Sequence, residues 1–371
     1  MIRTVLHLSD SNVFGGTERG ILHLIAGLDR SCWRPVLLHH PDAPDALVTG
    51  ATHAGAETAV AEHVRGKYDV GGIARLSFRM RQYDPAIVHA HLHWPLACKY
   101  GIAAAGLARV PVTVATAQLH LDLEAAGFVD LQHRLMTRRV DRYIAVSRHV
   151  AAGLERRFRV PPEKVTVIPN AVDLESLRNG APLPPMGWPS GNGRWVALVL
   201  ARLEAEKGVD VAIEAAARVP EIDLVIAGEG SLRATLEAHA ATLGIPGRVF
   251  FLGHRSDTPA LLRHADVLVL PSLREGLPLS VLEAMAANVA VVATDIGGTR
   301  EAIVHEESGL LVPVGDAGAL ADAIRRTLSD QQGTAMRVAA ARGRVEREFS
   351  TRTVVRRVTA LYDSLLSAKA R

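Results

Sequence analysis

Short apolar runs rich in Val, Ile, Leu and Ala recur along the first half of the chain, at residues 4–8, 35–39, 86–91, 112–116, 143–146 and 165–168. Between most of them the apolar residues take helical spacing, as at Ile21, Leu24, Ile25 and Leu28. Strands that alternate with helices build β-α-β units and hence a parallel sheet. The pattern breaks at residues 179–193, where four prolines and four glycines in fifteen residues can continue neither helix nor sheet. It then restarts, with strand-like runs at 195–201, 224–227, 249–252, 267–271, 289–294 and 310–313. The end of the chain lacks strand signals and carries Val354, Val355, Val358, Leu361 and Leu365 at helical spacing. These patterns predict an α/β protein of two doubly wound domains: residues 1–178, a linker at 179–193, and residues 194–350, with a helix over 351–371 joined to the first domain. Such sheets bind ligands at the carboxyl ends of their strands, so the expectation is an interdomain cleft whose motifs fall just after strands.

Composition narrows the class. A chain of 371 residues fits two domains, and 48% hydrophobic with only 4% aromatic residues calls for an aliphatic core, against an aromatic-rich β-sandwich. The formal charge of +3, from 42 basic and 39 acidic side chains, is too small a surplus to imply a nucleic-acid partner. Cys32 and Cys98 lie far apart, which indicates neither a disulfide framework nor a zinc knuckle. No apolar run reaches the length of a membrane span, and the opening MIRTVLHLSDSN is too short for a signal peptide's apolar stretch, so the expected location is cytoplasmic.

The candidate chemistry sits after the strands. Behind the 267–271 run, Glu275 and Glu283 have seven residues between them, and Pro278 prevents one helix from carrying both. Glu275 then falls in a loop and Glu283 in the first turn of a helix starting near Ser280. Two carboxylates would flank a helix N-terminus whose free amides and dipole suit a phosphate, while the carboxylates accept hydrogen bonds from hydroxyls. Ser280-x-x-Glu283 also has capping-box spacing, a purely structural use of that glutamate. After the 195–201 run, Arg202 and Lys207 could converge on a diphosphate, the one as a fork and the other as a point charge, although paired basic residues in a loop are often plain solvated surface. The chain has no D-x-D triplet, so side-chain cations take the place of a dedicated magnesium site. Near the front, Gly15 and Gly16 let the backbone approach a ligand before a helix, without the G-x-G-x-x-G spacing of a dinucleotide site.

In order along the chain, Gly15-Gly16-x-Glu18, Ile87-Val-His-Ala-His91, Ala145-Val-Ser147, Val167-Ile-Pro-Asn-Ala-Val-Asp173, Arg202 with Lys207 and Gly208, Ala227-Gly-Glu-Gly230, Phe251-Leu-Gly253, the two glutamates and Asp295-Ile-Gly-Gly298 resemble glycosyltransferase family 4. The resemblance covers nearly the whole chain. It implies two Rossmann-like domains in the GT-B arrangement and retaining, metal-independent transfer from a nucleotide-sugar donor to a hydroxyl acceptor, a lipid-linked or glycan one included. By the same resemblance Glu275 contacts the transferred sugar, Glu283 the ribose, and Arg202 and Lys207 the diphosphate. Backbone around Gly253–Arg255 holds the base, amides around Gly276, Leu277, Leu279 and Ser280 meet the phosphates and sugar, and the Gly15-Gly16 loop closes over the donor. No cofactor is implied beyond the donor itself, with a UDP-sugar the family's commonest choice. In place of the family's histidine beside the reacting sugar, this chain reads Ala117-Gln-Leu-His120, which makes His120 the expected catalytic neighbour and Gln118 the alternative.

Three other features need weighing. His89, His91 and His93 alternate like metal ligands, but a strand ending near His91 and a family without a metal argue against a zinc site, leaving His91 as an acceptor-side candidate. Eight arginines (Arg134, Arg138, Arg139, Arg142, Arg148, Arg156, Arg157 and Arg159) stand against only Asp141 and Glu155 over residues 134–159, either a solvated face or a surface for peripheral contact with anionic lipid. As alternatives to transfer, a nucleotide-sugar 2-epimerase-like isomerase shares the two-domain plan, and a non-catalytic sugar-nucleotide-binding subunit would keep the donor residues. The combined Arg202/Lys207 and Glu275/Glu283 set argues against the isomerase; the presence of all the donor-side carriers disfavours the non-catalytic subunit, which donor binding without transfer to any acceptor would revive.

Overall fold

In the computed structural model, which describes residues 2–61, 64–66, 68–118, 127–178 (backbone only at 127–130), 184, 186–189 and 193–371, the strands form two all-parallel sheets. The first contains β1 (Arg3–Ser9), β2 (Trp33–His39), β3 (Glu57–Val60), β4 (Pro85–Leu92), β5 (Val112–Ala117), β6 (Arg142–Ala145) and β7 (Val165–Val167), in the order 3-2-1-4-5-6-7. The second contains β8 (Trp195–Leu200), β9 (Ile222–Ala227), β10 (Val249–Gly253), β11 (Val267–Leu270), β12 (Ala290–Thr294) and β13 (Leu310–Val312), in the order 10-9-8-11-12-13. Both orders reverse direction beside the first strand of the sheet, between β1 and β4 and between β8 and β11, the switch points at which doubly wound sheets open a crevice.

The central strands are buried along nearly their whole length, as parallel strands covered on both faces must be. Strand β3 has no counterpart among the apolar runs. It is four residues long at the sheet edge, with only Ala59 buried, so its sequence carries little periodic signal.

The chain divides into two compact units, residues 1–171 with 351–371, and residues 172–350. The change of unit therefore falls at Ala171/Val172 and not at the Pro/Gly-rich stretch. Val172 donates its N–H to the Phe349 carbonyl at 2.9 Å and bridges to Ser350, while the helix Leu174–Arg178 packs on the helices Thr258–Arg263 and Leu279–Ala286. Within the supposed linker, Trp188 lies against the His264 ring, 6.0 Å between centroids, so this part too packs on the second unit. The helix Thr351–Lys369 covers the first sheet with Val354, Val355, Val358 and Tyr362, which join Val5, Leu24, Trp33, Ile87 and Ile144 in one core cluster. Tyr362 is wholly buried, a position the apolar spacing did not single out.

Candidate active site

In the second unit the chain leaves β8 through a loop that ends in the single turn Ala205–Lys207, and leaves β11 through the loop 271–278. These adjacent strands end side by side. The two loops are stitched together where the Leu273 N–H meets the Glu206 carbonyl at 2.8 Å. Gly208 takes φ +59, and a β-carbon there would stand 2.3 Å from the Pro271 carbonyl oxygen, so only glycine lets the Lys207 loop come this close. On the other side, a β-carbon on Gly298 would lie 2.0 Å from the Gly276 carbonyl oxygen. The glycines at 208 and 298 thus hold the Glu275 loop between two backbones.

This packing brings Lys207 and Glu275 together. Lys207 Nζ donates to Glu275 Oε1 at 2.7 Å, with the side chains 15% and 11% exposed. Ser272, buried just past β11, donates its hydroxyl to the same oxygen at 2.8 Å. Beyond the pair begins the helix Leu279–Ala286, whose residues are all buried. Its first amides lack intrahelical partners, which leaves donors and the positive end of the dipole beside Gly276, Leu277, Leu279 and Ser280. The capping-box use of Ser280 and Glu283 is not adopted. Pro278 occupies the N-cap without a side-chain cap, because the helix starts two residues earlier than that motif requires. Glu283 stays in the helix and is buried.

Arg202 is not drawn to this pair. It is exposed and donates to Glu206 Oε1 at 2.8 Å, an i,i+4 contact at the surface. Arg255 forms a two-pronged bond to Asp257, at 2.8 and 2.6 Å, which holds the Asp257 carboxyl below its usual range. Beside it, the Gly253 carbonyl accepts the Gly228 N–H at 2.8 Å.

In the first unit, Gly15 precedes the helix Gly16–Gly27 and donates its N–H to Glu18 Oε2 at 2.8 Å, so the glutamate of that motif caps its own helix. Gln118 follows β5 and lies over this helix. Its Nε2 and the Asn170 Oδ1 stand 3.5 and 3.7 Å from where a β-carbon on Gly20 would be. His120 lies outside the described residues. Near the ends of β1 and β2 a cavity of 230 Å³ is lined by Ser9, Asp10, His40, Cys98 and Tyr100, with Leu76 among its apolar walls. Asp10 is fixed there by the Cys98 N–H at 2.6 Å.

The histidine triplet is rearranged. Strand β4 ends at Leu92, so His93 leaves the sheet and its Nδ1 lies 3.6 Å from Asp10 Oδ1. Strand register instead places His7 of β1 opposite His89. His7, His89 and His91 have ligand-type nitrogens within 4.8 Å of one another, all buried. Two sets of hydrogen bonds hold them: His7 Nδ1 meets His91 Nε2 at 3.1 Å, and His89, stacked on His91, meets Tyr362 Oη at 2.5 Å and Thr116 Oγ1 at 2.6 Å. Burial keeps the imidazoles neutral, lowering His7 to about 3 and moving His89 and His91 well below the usual value. His91 therefore stands in the core, away from an acceptor-facing surface.

Sequence reasoning missed His7 and Ser272. The register of two strands distant in sequence was needed to find the first. The second had a weak signal, a hydroxyl placed between a strand end and a candidate carboxylate.

The family profile Glycosyl transferases group 1 matches residues 187–344, and Glycosyltransferase Family 4 matches residues 14–176. Glycogen synthase of Mycobacterium tuberculosis is 32% identical over 295 residues, covering 76% of this chain and 69% of that protein. The UDP-Gal:alpha-D-GlcNAc-diphosphoundecaprenol alpha-1,3-galactosyltransferase of Escherichia coli is 32% identical over 186 residues, 47% of this chain and 48% of that enzyme. Among solved structures, Anabaena Alr3699/HepE in complex with UDP and glucose shares the fold at a TM-score of 0.82 and 22% identity, over 98% of this chain and 100% of the other.

Proposed function

The chain belongs to glycosyltransferase family 4 and transfers a sugar from a nucleotide-sugar donor; from that premise we propose that Lys207, Glu275 and the amides at the head of the helix Leu279–Ala286 form the donor site of a retaining, metal-independent enzyme. The observation that carries this reading is the Lys207–Glu275 pair beside a helix N-terminus that has no side-chain cap. Lys207, joined by Arg202 once it leaves Glu206, neutralises the diphosphate. Glu275 accepts from sugar hydroxyls and Glu283 from the ribose, with backbone at Gly253–Arg255 on the base. A uridine diphosphate donor is favoured by the UDP-galactose in the Escherichia coli relative's name and by the UDP in that of the Anabaena structure.

The bond from the anomeric carbon to the leaving diphosphate oxygen breaks as the acceptor oxygen bonds to the same face, and the acceptor proton passes to the departing phosphate. No protein nucleophile is needed. The protein orients the reactants and stabilises the charge on the leaving group. On the acceptor side, the first unit's cavity offers the Asp10 carboxylate, the His40 imidazole and the Tyr100 phenol for hydrogen bonds to a hydroxyl-bearing ring.

A thermal-shift panel of UDP, GDP and ADP sugars tests the donor, since a ligand at 100 times its dissociation constant stabilises by about 2.7 kcal/mol. The anomeric configuration of the product, read by NMR, tests retention: inversion overturns it. Peripheral membrane contact is favoured by Leu131 and Leu135, exposed on a helix that also exposes Arg134 and Arg138. No helix among the described residues is long and apolar enough to cross a membrane. Flotation with anionic liposomes at low salt checks the contact, and absence of binding removes it.

A further inference from the structure

Among the described residues, Glu275 receives two side-chain hydrogen bonds, both on one oxygen. Lys207 Nζ at 2.7 Å and Ser272 Oγ at 2.8 Å converge on Oε1, while Oε2 takes none from the described residues. The two donors come from different strand ends, Lys207 from the loop after β8 and Ser272 from the loop after β11. Ser272 is wholly buried, and its own carbonyl accepts the Thr294 hydroxyl at 2.5 Å from the end of β12. Its hydroxyl therefore starts from a backbone tied to the neighbouring strand. A carboxylate held by one donor can still turn about its side-chain bonds; held on one oxygen by two donors from separate elements, it keeps the other oxygen in one orientation, available to accept.

We propose that Ser272 is a positioning residue for the donor sugar, pinning Oε1 of Glu275 so that Oε2 is presented to the hydroxyls of the transferred sugar. The proposal rests on the reading of Glu275 as the sugar contact. It also gives the pair of donors distinct duties. Lys207 has three N–H donors and can meet a diphosphate without leaving Oε1, whereas Ser272 is neutral, buried and anchored, so both stay on Oε1 when the donor binds. The carboxylate then needs no reorientation as the sugar arrives, which is the preorganisation that makes such contacts effective.

Calorimetry on the full chain separates this role from a structural one. The probes are the nucleotide sugar that stabilises best in the panel above and the matching free nucleoside diphosphate. Ser272→Ala is expected to weaken the nucleotide sugar about tenfold or more, the scale of a hydrogen bond to a charged group, and the free diphosphate less than about twofold. Ser272→Thr, which keeps the hydroxyl, is expected to recover most of the loss. Equal weakening of both ligands by Ser272→Ala, with Glu275→Gln still selective for the sugar-bearing ligand, overturns the positioning role alone. If Glu275→Gln is also unselective, the reading of Glu275 as the sugar contact falls, and this proposal with it. Should Ser272→Ala fold poorly, Ser272→Thr decides by the same ratio: a wild-type preference for the nucleotide sugar supports the role, and loss of that preference in a folded protein overturns it.

Discussion

Each sheet brings polar side chains together across neighbouring strands, but at different heights. In the first, His7 and His89 face each other within β1 and β4, covered by Tyr362 from the terminal helix. In the second, Lys207 and Glu275 meet after β8 and β11 have ended, where loops replace the covering layer. Inside the sheet, desolvation removes the charge, and the imidazoles bond to one another and to hydroxyls. Past the strand ends Lys207 and Glu275 meet at 2.7 Å, partly open to solvent. Height along a parallel strand thus separates residues that hold the core together from residues available to a ligand.

Replacing Glu275 by Gln is the largest expected break in this contrast. It keeps the shape of the side chain and removes its charge, and turnover should fall about 100-fold or more while the fold persists. Unchanged kcat with the authentic acceptor would remove the ligand role from the strand-end pair. Acidification tests the other region. His7 is neutral in the folded protein down to about 3, whereas in the unfolded chain it takes up a proton near 6.5, so its contribution is full above 6.5 and is lost as pH falls. Between pH 6.5 and 5 His7 alone should cost about 2 kcal/mol, with His89 and His91 adding in the same direction. Thermal unfolding across that interval should show a falling midpoint, flattened in His7→Asn. A flat wild-type profile contradicts the buried neutral cluster.

Smaller effects sharpen the contrast. Tyr362→Phe leaves one nitrogen of His89 without its partner in the core and should destabilise by about 1–2 kcal/mol, measured by denaturant midpoint. Glu206→Gln removes only the charge from the exposed contact with Arg202 and should change stability by less than about 0.5 kcal/mol. A larger loss there would mean that the surface pair supports the loop.

Much of the proposed donor site was legible because its residues obey a topological rule. Arg202, Lys207 and Glu275 all follow apolar runs, and parallel sheets put such positions at one end. Glu283 was legible as a helical residue, but its capping use was not decided by spacing, since Pro278 takes the N-cap position. The histidines read poorly for a different reason. Alternation correctly placed His89 and His91 on one face of a strand, yet the third member came from β1 and not from His93. The unit boundary misled as well: proline and glycine mark where regular structure stops, whereas the change of unit at Val172 depends on pairing with Ser350.

The sequence alone determined the alternation of strands and helices, the aliphatic core and the family, because period and composition are local properties of the chain. Only the tertiary structure decided which polar groups become partners. Lys207 and Glu275 are 68 positions apart, and His89 and Tyr362 are 273 apart. Their contacts follow from strand order, register and the docking of the last helix, which are set by burial of the whole sheet and not by any segment of it.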